Sequence, residues 1–220
     1  MRNRQGDIDI GMAMVAKELM NDSIVTEPDD DVIAVHEAGH LIVGVLVGRR
    51  ALKVSIDRIG SKRGCFWDPE SGPDWDDFSE MRCLIAGPRA QITLKPKSVP
   101  AERRPLFRDR IIQPSETLWS IPQGVYDFTG WDNDVLPVHD YLRTPHAPAD
   151  EGWPPCPSHL QVVDRAEEVL LRFFSDTAVQ VGTRRVAEAL LKARLTQGAE
   201  AENLVNGQDV NFANDLLAWR

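Results

Sequence analysis

A chain of 220 residues, 42% hydrophobic and 27% charged, has the material for one globular domain with a sizeable core, or for a catalytic unit with a small appendage. Its net charge of -9 argues against non-specific binding to nucleic acid, because neutralising phosphates takes an excess of Lys and Arg. Cys65, Cys83 and Cys156 are odd in number and lack a Cys-x-x-Cys spacing, which argues against a disulfide framework and for thiols in a reducing compartment.

The first six residues are polar, and the apolar stretch after them is interrupted by Asp7, Asp9, Lys17 and Glu18, so no signal peptide is expected. Helical spacing over 8–20 predicts a short amphipathic lead-in, followed by an acidic linker over 21–31. Asp29, Asp30 and Asp31 then offer acidic residues and a cap for a helix over 32–47. That helix is apolar almost all round, so it is expected to be central and buried, with Gly48-Arg49-Arg50 as its stop. Its uncharged run, Leu41 to Gly48, is too short to cross a bilayer, which takes about 20 residues. A cytoplasmic protein without a membrane span is the expectation.

Leu52, Val54 and Ile56 alternate with polar residues and predict a half-buried strand. A turn over 60–64 and a short strand over 65–67 would complete a hairpin. The next helix is expected over 76–86, with Phe78, Met81, Leu84 and Ile85 inward and Gly87-Pro88 bending or restarting it. Residues 95–124 read as a basic, Pro-rich insertion: a solvated loop, or a patch that steers substrates. The C-terminal third is helical. Ser158 is expected to cap one helix, a second to stop near Gln197-Gly198, and a third to reach Val205. Three units are expected: 1–30 as lead-in and linker, 31–157 as the core, and 158–220 as a C-terminal helical bundle. The fold class is mainly α with a small β-sheet.

The chemistry is concentrated in His36-Glu37-Ala38-Gly39-His40. Residues four apart on a helix share a face and rise about 6 Å, so both imidazoles can reach one zinc ion. Glu37 sits beside them as a general base for a water acidified by the metal. Gly39 leaves room for another element to pack close. Burying three polar side chains in the most apolar helix would cost several kcal/mol each without partners, and a metal removes that difficulty. A third ligand is required. From the residues alone, His139, His146, His159 and the acids of 132–140 are all open.

At this point four segments, in order, resemble the peptidase half of the FtsH-type ATP-dependent zinc proteases. Val35 to Val43 resembles the zinc helix of that family, and Lys53-Val54-Ser55-Ile56 the strand after it. Cys83 to Gln91 resembles its small-residue helix, with Gln91 where the family has Glu. Thr129-Gly130-Trp131-Asp132-Asn133-Asp134 resembles the element whose last Asp is the third ligand. Ala187 to Leu191 and Leu195 to Gly198 are similar to the closing helices. The resemblance implies a zincin-like fold, one zinc per chain on His36, His40 and Asp134, and Glu37 as base. Neither a phosphate loop nor a transmembrane anchor of the family occurs in these 220 residues. The expected activity is therefore hydrolysis of peptides or flexible chains rather than of folded proteins. Extended substrate would be held by strand addition at Val54 and Ile56, or at Phe66 and Trp67. The alternative is a metal-binding regulatory domain without turnover. Homo-oligomerisation is left open.

Overall fold

The computed structural model describes residues 29–59, 62–69, 77–99, 134, 138, 141 and 157–208. The described residues form a mainly helical fold around a small antiparallel sheet, as the hydrophobic patterning predicts. None of the described helices is long and apolar enough to cross a membrane.

Helix α1, Asp30–Leu46, buries every residue from Val32 to Gly44 and starts within the linker acids. The cap expected from those acids is not made: the Asp29 side chain accepts no capping bond. Instead Asp30 pairs with Arg194 and Asp31 with Lys95, so the helix start is held by tertiary ion pairs. The helix stops as expected at Gly48. Its φ of 91° turns the chain into the left-handed region that glycine enters without cost. The Gly48 N–H donates to Val45 O (3.0 Å) and the Arg49 N–H to Gly44 O (2.8 Å), which satisfies the last carbonyls.

Strand β1, Ala51–Ile59, pairs antiparallel with β2, Lys62–Trp67. The hairpin is tighter than expected, because Ile59 already faces Lys62 and Gly64 lies inside β2 opposite Ser55. A register shift between Ala51 and Lys53 buries Ala51 and turns Leu52 outward, 51% exposed, against the simple alternation.

Helix α2, Asp77–Leu94, continues through Gly87-Pro88 instead of breaking there. Proline in a helix interior costs about 3 kcal/mol. The apolar burial of Ile85, Ala86 and Ala90 around Pro88 offsets that cost. Gly39 permits the close crossing of α1 and α2 that its lack of a side chain suggested. A Cβ there would stand 2.6 Å from the Ala90 Cβ and 2.7 Å from Ala86 O.

Helix α3, Pro157–Ser175, begins one residue before Ser158, so Pro157 occupies the first turn, where its missing N–H has no helical partner to lose. Asp176 caps α4, Thr177–Ala193, accepting from the Ala178 and Val179 N–H groups at 2.8 and 3.1 Å. The second C-terminal helix thus ends earlier than expected. Arg194 takes φ 62°, and Leu195–Gln197 form a third strand, β3, along β1. Helix α5, Gly198–Asn206, follows. The sheet order is β2-β1-β3.

One hydrophobic core joins Ile33, Leu41 and Ile42 of α1 to Met81 and Ile85 of α2, Phe173 and Phe174 of α3, and Val186 and Leu190 of α4. A buried ion pair, Arg89–Glu167, ties α2 to α3, with both side chains 3% exposed. Removing one partner of such a pair strands the other charge.

Candidate metal centre

His36 and His40 lie on the face of α1 that α2 covers, and both are buried. Each imidazole has one nitrogen already assigned. His36 Nδ1 donates to Gln91 Oε1 at 3.2 Å, and His40 Nδ1 donates to Cys83 O at 2.7 Å. With Nδ1 carrying the proton, each neutral ring presents a lone pair at Nε2. The two Nε2 atoms are 3.1 Å apart. Asp134 brings Oδ2 to within 3.0 Å of one and 3.2 Å of the other. Three electron pairs therefore converge on one point, which is electrostatically unfavourable unless a cation stands there.

His36, His40 and Asp134 are a group able to hold a metal ion. Ligands on a tetrahedral zinc at about 2.0–2.1 Å stand roughly 3.3 Å apart, close to the separations found here. The donor set therefore fits a divalent metal and leaves a fourth position for water. Without a metal, a proton takes its place. Burial opposes charge on His40, but the Asp134 carboxylate and its hydrogen bond, with Glu37 beside it, outweigh burial and raise the His40 pKa to about 9. Burial also raises the Asp134 pKa, but the neighbouring imidazoles prevail and hold it below the usual carboxylate value.

Asp134 reaches the site from 98 residues beyond His36. It is helical, as are Val138 and Tyr141. Val138 is fully buried in the core. His159 of α3 donates from Nδ1 to Tyr141 O at 2.9 Å and stacks on the Tyr141 ring, with centroids 4.4 Å apart. His159 was open as a third ligand from the sequence, and the structure places it against this segment instead of at the metal point. His139, His146, Asp132 and Asp140 lie outside the described residues, as does the insertion beyond Val99. Lys95, counted with its basic patch, is paired to Asp31.

Glu37 is 3% exposed, and its Oε2 has no hydrogen-bond partner among the described residues. Burial pushes its pKa up, against the lowering influence of His36 and His40. Gly64 of β2 lies against it, and a Cβ there would stand in van der Waals contact, 3.4 Å from Oε2. A carboxylate oxygen left open beside three converging ligand atoms is placed to take a proton.

A cavity of about 200 Å³ opens on this group between α1, α2 and β2. Two glycines press against residues that line it. A Cβ on Gly87 would lie 2.3 Å from His40 Nε2 and 2.8 Å from His36 Nε2, so it would occupy the space next to the metal point. A Cβ on Gly44 would lie 2.1 Å from the Trp67 ring, so the indole seats directly on α1. Trp67 lines the cavity.

The other expected substrate contacts need correction. Val54 and Ile56 are 0% and 2% exposed, packed into the core, and β1 is the central strand with β2 and β3 on its two edges. Neither residue is placed to touch a peptide. Phe66 is not among the cavity-lining residues, and the Lys53 Nζ stands 4.4 Å from its ring centroid. Gly87 is expected as a bend, and with Gln91 as part of a small-residue helix packed near the site, but their contacts with the two histidines are not legible in the sequence. A glycine inside a helix was a usable signal, because it costs about 1 kcal/mol against alanine and so asks for a packing reason.

Compared with models of known families, with curated proteins and with solved structures, the chain gives no significant match.

Proposed function

We propose that the chain is a zinc metallopeptidase with a zincin-like catalytic unit, resembling the peptidase half of FtsH-type proteases and cleaving peptides or flexible chain segments. The observation that carries this reading is the convergence of His36 Nε2, His40 Nε2 and Asp134 Oδ2, with both Nδ1 atoms committed elsewhere, beside the open Oε2 of Glu37. A zinc ion on these ligands supplies Lewis acidity, polarising the scissile carbonyl and acidifying a water. The chain's residues do the rest. Gln91 and the Cys83 carbonyl fix the tautomers and ring planes of the two histidines. Glu37 accepts a proton from the attacking water on Oε2 and returns it to the leaving amine. The outer edge of β2 pairs with no described strand and borders the cavity, so it offers backbone groups to an extended peptide.

A metal-binding domain without turnover would use the triad equally well. It would have no use for Glu37, because a buried carboxylate oxygen without a partner costs stability. We therefore favour the enzyme, with one zinc per chain and a cytoplasmic setting. Elemental analysis of protein purified without chelator is expected to give one zinc per chain. Glu37→Gln is expected to keep that zinc and lose cleavage of an unstructured peptide by about 100-fold or more. His40→Ala loses both. Protein that cannot be loaded with zinc, or undiminished turnover in Glu37→Gln, would overturn the reading.

A further inference from the structure

The two histidines have their tautomers fixed by different kinds of acceptor. His40 Nδ1 donates straight to a main-chain carbonyl, Cys83 O, which can do nothing but accept. His36 Nδ1 faces a side-chain amide, that of Gln91, which is 1% exposed. An amide has an accepting end and a donating end of nearly the same shape. With Oε1 toward His36, it takes the Nδ1 proton and leaves Nε2 with a lone pair for the metal. Turned the other way, it donates to Nδ1 and drives the ring proton onto Nε2, into the point where the ligand atoms meet. A group beyond Gln91 has to choose between the two.

That group lies in the short 3-10 helix Pro96–Ser98, just after α2. Ser98 Oγ is 2.7 Å from Lys95 O and 3.1 Å from Gln91 Nε2. A carbonyl cannot donate, so the Ser98 hydroxyl gives its single proton to Lys95 O. Toward Gln91 it can then only accept. The end of the amide that faces Ser98 must therefore be the donor, Nε2, and the end that faces His36 must be Oε1. The Lys95 carbonyl is itself held in place. It also accepts the Ser98 N–H at 2.9 Å, the Lys95 N–H donates to Gln91 O at 2.8 Å, and the Lys95 side chain pairs with Asp31 in the first turn of α1.

We propose that Ser98 is a positioning residue of the metal centre: its hydroxyl, committed to Lys95 O, fixes the direction of the Gln91 amide and so keeps the Nε2 lone pair of His36 on the metal point. This rests on the reading of His36, His40 and Asp134 as metal ligands, and not on peptide cleavage. The need for Ser98 comes from the amide. A carboxylate at position 91 would present an oxygen to His36 whichever way it turned, and would make the hydroxyl dispensable.

The test measures zinc affinity, by competition with a chromophoric chelator, in a cycle of four full-length proteins: the parent, Ser98→Ala, Gln91→Glu and the double variant. Ser98→Ala is expected to bind zinc about tenfold more weakly, at the low end of the loss seen when a group that orients a ligand is removed. Ser98→Thr keeps the hydroxyl and is expected to keep the parent's affinity. In the Gln91→Glu background, the Ser98→Ala step is expected to change nothing, whereas a residue that merely supported the turn would cost the same in both backgrounds. A second measurement needs no metal. In zinc-free protein with 15N-labelled histidine, Ser98→Ala is expected to remove the Nδ1–H signal of His36 and leave that of His40, whose acceptor is main chain. That spectrum and the Ser98→Thr rescue serve if Gln91→Glu does not fold. Undiminished zinc affinity in Ser98→Ala, an equal loss in both backgrounds, or a His36 Nδ1–H signal that persists in Ser98→Ala would each overturn the proposal. A parent chain that takes up no zinc would sink the metal reading instead, while the nitrogen spectra still score the role of Ser98.

Discussion

Helices α1 and α4 are each 17 residues long, and they bury their polar residues in opposite ways. Helix α4 is amphipathic. Its inward stripe is Val179, Gly182, Thr183, Val186, Ala187 and Leu190, and its one buried hydroxyl, Thr183, bonds back to Val179 O one turn away at 2.7 Å. Helix α1 is buried all round, and its polar trio finds no partner in its own helix beyond the pairing of the two histidines. The other partners of the two histidines lie 43 to 98 residues away in sequence. A polar group satisfied locally costs the fold little and needs no further purpose. A polar group satisfied only by distant segments holds those segments in a fixed arrangement, which is what a reactive site requires.

Three substitutions sharpen this contrast. The largest effect is expected at the α1–α2 contact. Gly87→Ala puts a methyl group beside both Nε2 atoms and is expected to abolish zinc binding while the helices remain, as titration with a zinc indicator and circular dichroism would record. Stoichiometric zinc in that variant would mean that the ligand atoms meet elsewhere. Gln91→Ala removes the acceptor that orients His36, together with a hydrogen bond to Ser98 Oγ, and zinc affinity is expected to fall by about 10–100-fold. Unchanged affinity, measured by competition with a chelator, would reduce Gln91 to a packing residue. The smallest effect belongs to α4. Thr183→Ala removes one hydroxyl and its methyl group, and is expected to cost about 1 kcal/mol in urea denaturation without altering zinc affinity. A change in zinc affinity there would show that the two helices are not independent.

The same contrast explains what was legible in the sequence. The metal pair was readable because His36, Glu37 and His40 lie within five residues and their geometry follows from helix rise alone. The role of Gly39 and the helix stop at Gly48 were readable for the same local reason. Strand β3 was not. Three residues carry no periodicity, and the turn before it uses Arg194 at positive φ, where a sequence reader looks for glycine or asparagine. Without β3, β1 passes for an edge strand, which is why Val54 and Ile56 were expected to meet a substrate. Alternation tells which side of a strand is buried, but not whether a neighbour occupies its edge. Pro88 misled in the opposite sense: a local cost was read as a bend or a restart, and the apolar burial around it prevailed. The third ligand lay between these cases, with several candidates of suitable chemistry and only a family resemblance to separate them.

Arg194 joins the end of α4 to Asp57 of β1 and Asp30 of α1, partners 137 and 164 residues earlier. Together with the pairing of Leu195–Gln197 along β1, this makes the closing contacts of α1 and β1 depend on segments synthesised long after them. At roughly 5–20 residues per second, a growing polypeptide would carry its most apolar helix for about ten seconds or more before its C-terminal cover arrives. During that interval α1 has neither the packing of α4 nor the ion pair at its first turn, so the segment that holds the reactive residues is also the one most exposed to aggregation during synthesis.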